Sequence, residues 1–429
     1  MGYPKVNHLY SYTTRLQFGL LLLGLLLPGA ALQAQQAQHP DHIPVTRSAE
    51  VTFASILEQT LQQSPEYLEI AARDAEAQTQ ADIGSSWIAG RPSLQVDLLD
   101  DSLHSNLGQS ELTYGIEVPL WRPGERRDRQ ALGQQYEEQA QAWQAYFRLA
   151  VVGRLRDSLV AIHEAEVFLE VERQASADAR ELVSIVERLY GAGEVAEREL
   201  LQARTLLLTQ QRSELDAEAM LVDAQRAYSV LTGLTVMPEA PWTEAQAPDA
   251  EIDATHPQLR YMQSEVDLAQ ANVERAQAEA RGSPTVTLGS RREKPGTIAA
   301  RQDSLALSVN IPFGGKSFVA AAGSAARRDK VDAEVQYLTT LREMNLQLHE
   351  IEHELFIVGE SLPLSEQHTD MSTRQWEMAR TAFELGETDM SQVVIAMQQA
   401  RASARELQSL TLRQQRLTIE FNQILGVLP

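Results

Sequence analysis

Residues 341–362 read LREMNLQLHEIEHELFIVGESL. Leu341, Leu348, Leu355 and Leu362 fall at intervals of seven, and Met344, Ile351 and Val358 fill the places between them at steps of three and four. An α-helix turns once per about 3.6 residues, so apolar residues repeating every 3.5 keep one stripe against a partner helix and form a coiled-coil seam. Leu155, Ile162 and Leu169 occupy equivalent places about 193 residues earlier. The same stretch contains His349-Glu350-Ile351-Glu352-His353, a literal H-E-x-x-H. On a helix that spacing puts two histidines on one face, where they can hold zinc with the glutamate as general base. A catalytic zinc also needs a third ligand held in a cleft. Here the motif lies inside a heptad run with no globular segment after it, so it reads as a solvated helix face. His349→Ala and His353→Ala are expected to change stability by no more than about 0.5 kcal/mol.

Outward from this stretch, the chain repeats itself with a period of about 193 residues. Ser64-Pro65-Glu66-Tyr67-Leu68 resembles His256-Pro257-Gln258-Leu259, and Arg91-Pro92-Ser93-Leu94 resembles Ser283-Pro284-Thr285-Val286. Val118-Pro119-Leu120 resembles Ile311-Pro312-Phe313, and Tyr190-Gly191-Ala192-Gly193-Glu194 resembles Phe383-Glu384-Leu385-Gly386-Glu387. Each half opens with a Pro-led helix, the first from about Pro65 to Gly90. Two runs of period-2 alternation follow, the mark of a β-hairpin. Then comes a very long helix, a Gly-Glu turn and a returning helix. The first long helix, Glu125 to Tyr190, is about 66 residues, or roughly 99 Å at ~1.5 Å per residue. The first and returning helices laid end to end match that length. The hairpins therefore gather at one end of a column and the Gly turns at the other. Pro363 interrupts the second long helix and is expected to break or kink it.

The resulting division is 1–34, 35–50 as a flexible segment, a first repeat over 51–233 with its hairpin at 92–119 and tip turn at 190–194, a linker over 234–252, and a second repeat over 253–429 with its hairpin at 284–312 and tip turn at 383–387. Lys5 and Arg15, the apolar run Leu16 to Leu27, Pro28 and Ala30-Ala31-Leu32-Gln33-Ala34 have the form of a cleaved secretory signal peptide. Net charge is −22, which makes nucleic acid a poor partner. There are no cysteines, so disulfides and thiolate metal sites are excluded. Aromatic residues are only 6%, which suits long helices rather than a compact catalytic core. No Gly-rich phosphate loop is found and the other histidines are scattered without ligand spacing, so neither catalysis nor a cofactor or metal is expected.

Two hairpins give four strands. A lipid-embedded sheet cannot leave its edges unpaired, and the smallest membrane barrels have about eight strands. If these strands cross a membrane, several copies share one barrel; the pattern leaves a dimer and a trimer both open. The other reading places the hairpins in water, on a soluble periplasmic coiled-coil scaffold or adaptor.

The Pro-led helix, Pro-flanked hairpins and Gly turn, all present twice from about Val51 to Leu428, resemble the TolC family of outer-membrane efflux proteins. The resemblance implies a mainly α fold with a small β part. Duplicated coiled-coil hairpins would form a periplasmic α-barrel, and four β-strands per protomer would contribute to a shared 12-stranded outer-membrane β-barrel. It implies a homotrimer in outer-membrane lipid, working with a periplasmic adaptor (a membrane fusion protein) and an inner-membrane pump of RND or ABC type. Such a duct is passive and not an enzyme. It exports drugs, metal ions or other small toxic solutes. The entrance and adaptor contact then fall at the tips: Arg188, Tyr190, Gly193, Glu194, Glu197 and Glu199 in the first repeat, and Phe383, Glu384, Gly386, Glu387, Asp389 and Gln392 in the second. The match is not uniform. Better-known members narrow the entrance with two aspartates three residues apart; the aligned positions here are Gln392 and Ile395, and Glu199 and Gln202 in the first repeat. The Leu362-Pro363 pair resembles the Leu-Pro of heavy-metal, CzcC-like members.

Overall fold

A computed structural model describes residues 44–248 and 251–429. The leader-like segment 1–34 lies outside them. In chain order the elements are β1 (Thr46–Ser48), α1 (Phe53–Gln63), α2 (Tyr67–Ser85), β2 (Ser93–Asp100), β3 (Ser110–Pro119), α3 (Glu125–Ala192), α4 (Glu197–Thr232), β4 (Val236–Pro238), α5 (Pro257–Arg281), β5 (Thr285–Lys294), β6 (Gln302–Asn310), α6 (Lys316–Glu384) and α7 (Met390–Ile424). The fold is mainly helical. Two helices of 68 and 69 residues run its length, roughly 102–104 Å at ~1.5 Å per residue. The heptad stripes do the packing. Leu155 and Ile162 are fully buried on α3, and Met344, Leu348, Ile351 and Val358 are buried on α6. Leu341, Leu355 and Leu362 pack against the same core while partly exposed.

α6 runs unbroken through Pro363, where a break or kink is expected from sequence. The Pro363 side chain is exposed, and the space beside Gly359, four residues earlier, is open. The lost backbone hydrogen bond therefore falls on a solvent face, while Val358, Ser365 and Ser372 keep the opposite face buried. The seam holds the helix across the gap.

Three local features depart from the sequence reading. The segment 35–50, read as flexible, contributes β1, which pairs in parallel with β4 from the supposed linker. A separate helix α1, capped by a reciprocal Thr52–Ser55 box, precedes α2. α2 ends at Ser85, short of Gly90. The linker is pinned rather than slack. Trp242 stacks on Phe53 with ring centroids 4.3 Å apart, and Glu244 meets Arg156.

Arg156 is the largest fully buried side chain, with 1% of its surface exposed. Its Nε and Nη2 donate to the two carboxylate oxygens of Glu244 at 2.7 and 2.8 Å. Its Nη1 donates to Gln423 Oε1 at 2.6 Å, and Nη2 also donates to the Val427 carbonyl at 2.9 Å. Glu244 accepts further bonds from Trp242 Nε1 and Asn422 Nδ2, both 2.9 Å. One buried ion pair thus ties the first long helix, the linker and the end of the last helix together.

His256 caps α5, accepting at Nδ1 from the Gln258 N–H at 3.2 Å. Burial holds its pKa below the ordinary value, against the opposing charge of Asp253. The folded state therefore favours neutral imidazole. Its contribution to stability is full above the unfolded pKa near 6.5 and is lost as pH falls through that value toward the lower folded one. Burial pushes Asp157 and Glu420, in the same pocket, up in pKa, so they contribute the opposite trend. We expect His256→Ser, which installs the residue at the aligned position of the first repeat (Ser64), to reduce the fall in melting temperature between pH 7.5 and pH 5.5. An unchanged fall removes His256 as its source.

Candidate functional site

Four strands form one antiparallel sheet in the order β2-β3-β5-β6. The two hairpins are joined through β3 and β5, which pair from Ser110↔Lys294 to Pro119↔Thr285. Because successive side chains alternate between faces, the register sorts residues into rungs. One face carries Leu94–Ile116–Leu288–Leu307, then Val96–Tyr114–Ser290–Leu305, with Val118–Val286–Val309 on one side. Most of these side chains are large, apolar and more than half exposed, including Leu305 at 80% and Leu307 at 67%. The other face carries Ser93–Glu117–Thr287–Ser308, Gln95–Gly115–Gly289–Ala306 and Asp97–Thr113–Arg291–Ser304. It is mostly polar, with Leu99 its one large apolar side chain, and carries an ion pair between Arg291 and Glu111 at 2.7 Å. Gly115 and Gly289 face each other at its centre, and a Cβ on Gly289 would strike the Tyr114 carbonyl. Glycine is required there by the close approach of the two strands. Among the described residues β2 and β6 have no second neighbour.

The apolar face is bounded at both ends. Toward the hairpin loops the next rung is Leu98–Leu112–Arg292–Asp303, whose last two residues pair at 2.8 Å. The loops beyond it are stapled together by the Thr297 N–H and Oγ1, which donate to the Leu107 carbonyl at 3.0 and 2.9 Å. Toward the helices, Trp87 and Phe313 are strongly exposed, and Trp121 Nε1 donates to the Ser86 carbonyl at 2.9 Å.

The two Gly turns lie at the opposite end and share one core. Val186, Leu200, Phe383 and Met390 are buried together there. α3 ends at Gly193, whose φ of 79° is left-handed. The Glu194 N–H donates back to the Leu189 carbonyl at 2.9 Å. Gly386 has φ 73°, and the Glu387 N–H donates to the Ala382 carbonyl at 2.8 Å. This is how a glycine just past a helix end closes the free carbonyls. Neither glycine has an atom near where a Cβ would stand. A side chain there costs only the left-handed backbone, about 1–2 kcal/mol.

Of the sequence-chosen tip residues, Arg188, Tyr190, Glu194, Glu197, Glu384, Glu387, Asp389 and Gln392 are exposed. Phe383 is buried at 4% and belongs to the tip core rather than its surface. Asp389 has a structural role as well: its Oδ1 accepts from the Gln392 N–H at 3.0 Å and caps α7. The matching position of the first repeat is Ala196, which supplies no side-chain cap to α4. Sequence reasoning missed Arg198, whose guanidinium donates to Glu199 at 2.7 Å and holds that carboxyl below its ordinary pKa. Adjacent Arg and Glu in a charged helix give no signal of pairing. His349 and His353 are both exposed on α6. Among the described residues, no three His, Asp or Glu side chains are grouped to hold a metal, and no helix is long and apolar enough to cross a membrane.

Residues 56–234 match the family model described as Outer membrane efflux protein. No curated relative matches the sequence. The fold is similar to that of the outer membrane protein VceC of Vibrio cholerae, at 16% identity and a TM-score of 0.70, covering 87% of this chain and 96% of that one. It is likewise similar to CusC, described in terms of transmembrane channel formation, at 14% identity and a TM-score of 0.70 over 87% and 92% of the two chains. The CmeC outer membrane channel of Campylobacter jejuni follows at 14% identity and a TM-score of 0.65 over 87% and 85%. The first repeat therefore matches the outer membrane efflux protein family, and the described chain as a whole has the TolC-like fold of outer-membrane channels.

Proposed function

We propose that this chain is one protomer of a homotrimeric, passive exit duct that spans the outer membrane and extends into the periplasm. The observation that carries the reading is the sheet: one face apolar and bare to its surroundings, the other polar, with two open edges. In lipid such edges must be paired. Three copies joined edge to edge give a closed 12-stranded barrel with the apolar rungs toward lipid and Asp97, Glu117 and Arg291 toward the lumen. Exposed Trp87 and Phe313 suit the aromatic girdle that marks a membrane interface. A leader at residues 1–34 would deliver the chain to the periplasm. The tips at the far end form the entrance. Glu194, Glu197, Glu384, Glu387 and Asp389 from each copy ring it with negative charge and favour cationic solutes. A periplasmic adaptor, linked to an RND-type or ABC-type inner-membrane pump, meets the duct there. Drugs, metal ions and other small toxic solutes are the substrates this arrangement serves.

Cell fractionation tests the reading. A duct appears in the outer membrane as heat-sensitive trimers that need detergent; a soluble periplasmic monomer overturns it. The tip assignment is tested separately with Gly386→Val. The turn lies far from the sheet, so trimer level should hold while sensitivity to exported compounds rises. Normal export, or loss of trimers, refutes the assignment of the tip as entrance.

A further inference from the structure

The chain carries a net charge of −22, yet one pocket has cations as its only charged lining. It measures about 520 Å³ and lies where the end of α5, the turn into α6 and the loop after β3 meet. Arg122, Arg281, Lys316 and Arg327 line it with Gln277 and Phe313. Arg122 Nη2 donates to the carbonyls of Arg281 and Pro312, and Arg327 Nη2 to the Ala320 carbonyl at 3.0 Å. Among the described residues, the side chains of Arg281 and Lys316 have no partner, and none of the four cations is in an ion pair. The nearby carboxylates are engaged elsewhere. Glu125 accepts from the Arg122 N–H at 2.9 Å and the Ser283 hydroxyl at 3.2 Å, and Glu279 pairs with Arg275 at 3.2 Å. Gathered like charges repel and raise the local concentration of anions.

The duplicated scaffold does not require these cations. Aligned on Arg91 with Ser283 and on Pro119 with Pro312, the positions of Arg281, Lys316 and Arg327 fall on Ala89, Pro123 and Gln134 in the first repeat, all uncharged. The wall beside the pocket indicates what kind of anion fits. Leu305, Leu307 and Val309 form an apolar column on β6, and Ile311 and Phe313 continue its alternation to the pocket. Ile311 is 62% exposed, and Phe313 and Phe318 are barer still. A cluster of cations at the foot of a bare apolar column matches an anionic head joined to a long apolar tail.

We propose that this pocket holds the phosphate of an anionic glycerophospholipid, with an acyl chain lying along Phe313 and Ile311 onto the apolar face of the sheet. This deepens the duct reading and rests on it: in an outer-membrane duct the junction of sheet and helices meets the periplasmic leaflet. Each copy carries one site, so a trimer holds three such lipids.

The test is native mass spectrometry of the full-chain trimer in non-ionic detergent, titrated separately with phosphatidylglycerol, phosphatidylcholine and inorganic phosphate. Up to three phosphatidylglycerol molecules should bind per trimer, ahead of phosphatidylcholine. Each cation beside an anionic lipid headgroup contributes about fivefold in affinity, so Arg281→Gln with Lys316→Gln should bind roughly thirtyfold more weakly. Arg328→Gln with Lys330→Gln, which removes the same charge from α6 outside the pocket, should bind as the natural chain does. Equal binding of phosphatidylcholine, equal loss in the two double variants, or displacement of the lipid by equimolar inorganic phosphate overturns the lipid site and leaves the duct intact. If the first double variant fails to assemble, the three titrations of the natural trimer still decide. A chain that is a soluble monomer overturns both readings.

Discussion

Arg156→Ala is expected to lower the stability of the protomer by about 3–5 kcal/mol, because it strands Glu244 as a buried charge with its main partner removed. Arg156 is 1% exposed and Glu244's side chain 9%, so water cannot replace the guanidinium. The damage should also spread: the same guanidinium holds Gln423 and the Val427 carbonyl, and Glu244 helps hold Asn422, which accepts from the Ala247 N–H at 2.9 Å. Limited proteolysis should therefore cut first within residues 239–256 and near residues 425–429. Substituting both partners together, Arg156→Met with Glu244→Leu, removes the charges as a pair and should recover much of the loss, since uncharged isosteres avoid the desolvation penalty. Equal damage from the single and double variants refutes the ion pair as the source.

The second large effect separates two adjacent residues. Leu288→Arg is expected to abolish outer-membrane trimers, while Thr287→Arg should leave them in place. Leu288 sits in the middle of the apolar rung and Thr287 points to the polar face. A strand's two faces alternate residue by residue. In an outer-membrane barrel an arginine near the bilayer midplane costs about 2–4 kcal/mol on the lipid side, and each copy in the trimer incurs it. On the lumen side the charge stays in water. The measurement is trimer level in the outer membrane by unheated gel. The reverse pattern assigns the faces the other way round; equal tolerance removes the sheet from the membrane.

The long helices were legible because their packing is local in period. Leu155, Ile162 and Leu169 announce their seam by spacing alone, and all three are buried. The hairpins were legible as alternating runs, but the apolarity of one sheet face was not. Leu94, Ile116, Leu288 and Leu307 come from four segments and become a rung only when register is known. The clamp was invisible for the same reason: Arg156, Glu244 and Asn422 are far apart in sequence and share no period. Pro363 misled because sequence shows the missing N–H but not which way the ring faces. At the tips, position was legible from the glycines. The burial of Phe383 was not, since its repeat counterpart Tyr190 is exposed.

In the proposed trimer, the unequal capping of the two returning helices would break the near-sixfold equivalence of the tips. α7 begins with the Asp389 carboxylate on its first turn, whereas α4 begins at Ala196, which supplies no side-chain cap. A missing cap weakens a helix start by about 0.5–2 kcal/mol. In a trimer the mouth would then alternate between three firm segments and three that unwind more readily. An iris of that kind would yield at three hinges first, with the second repeat as the frame around which it would dilate.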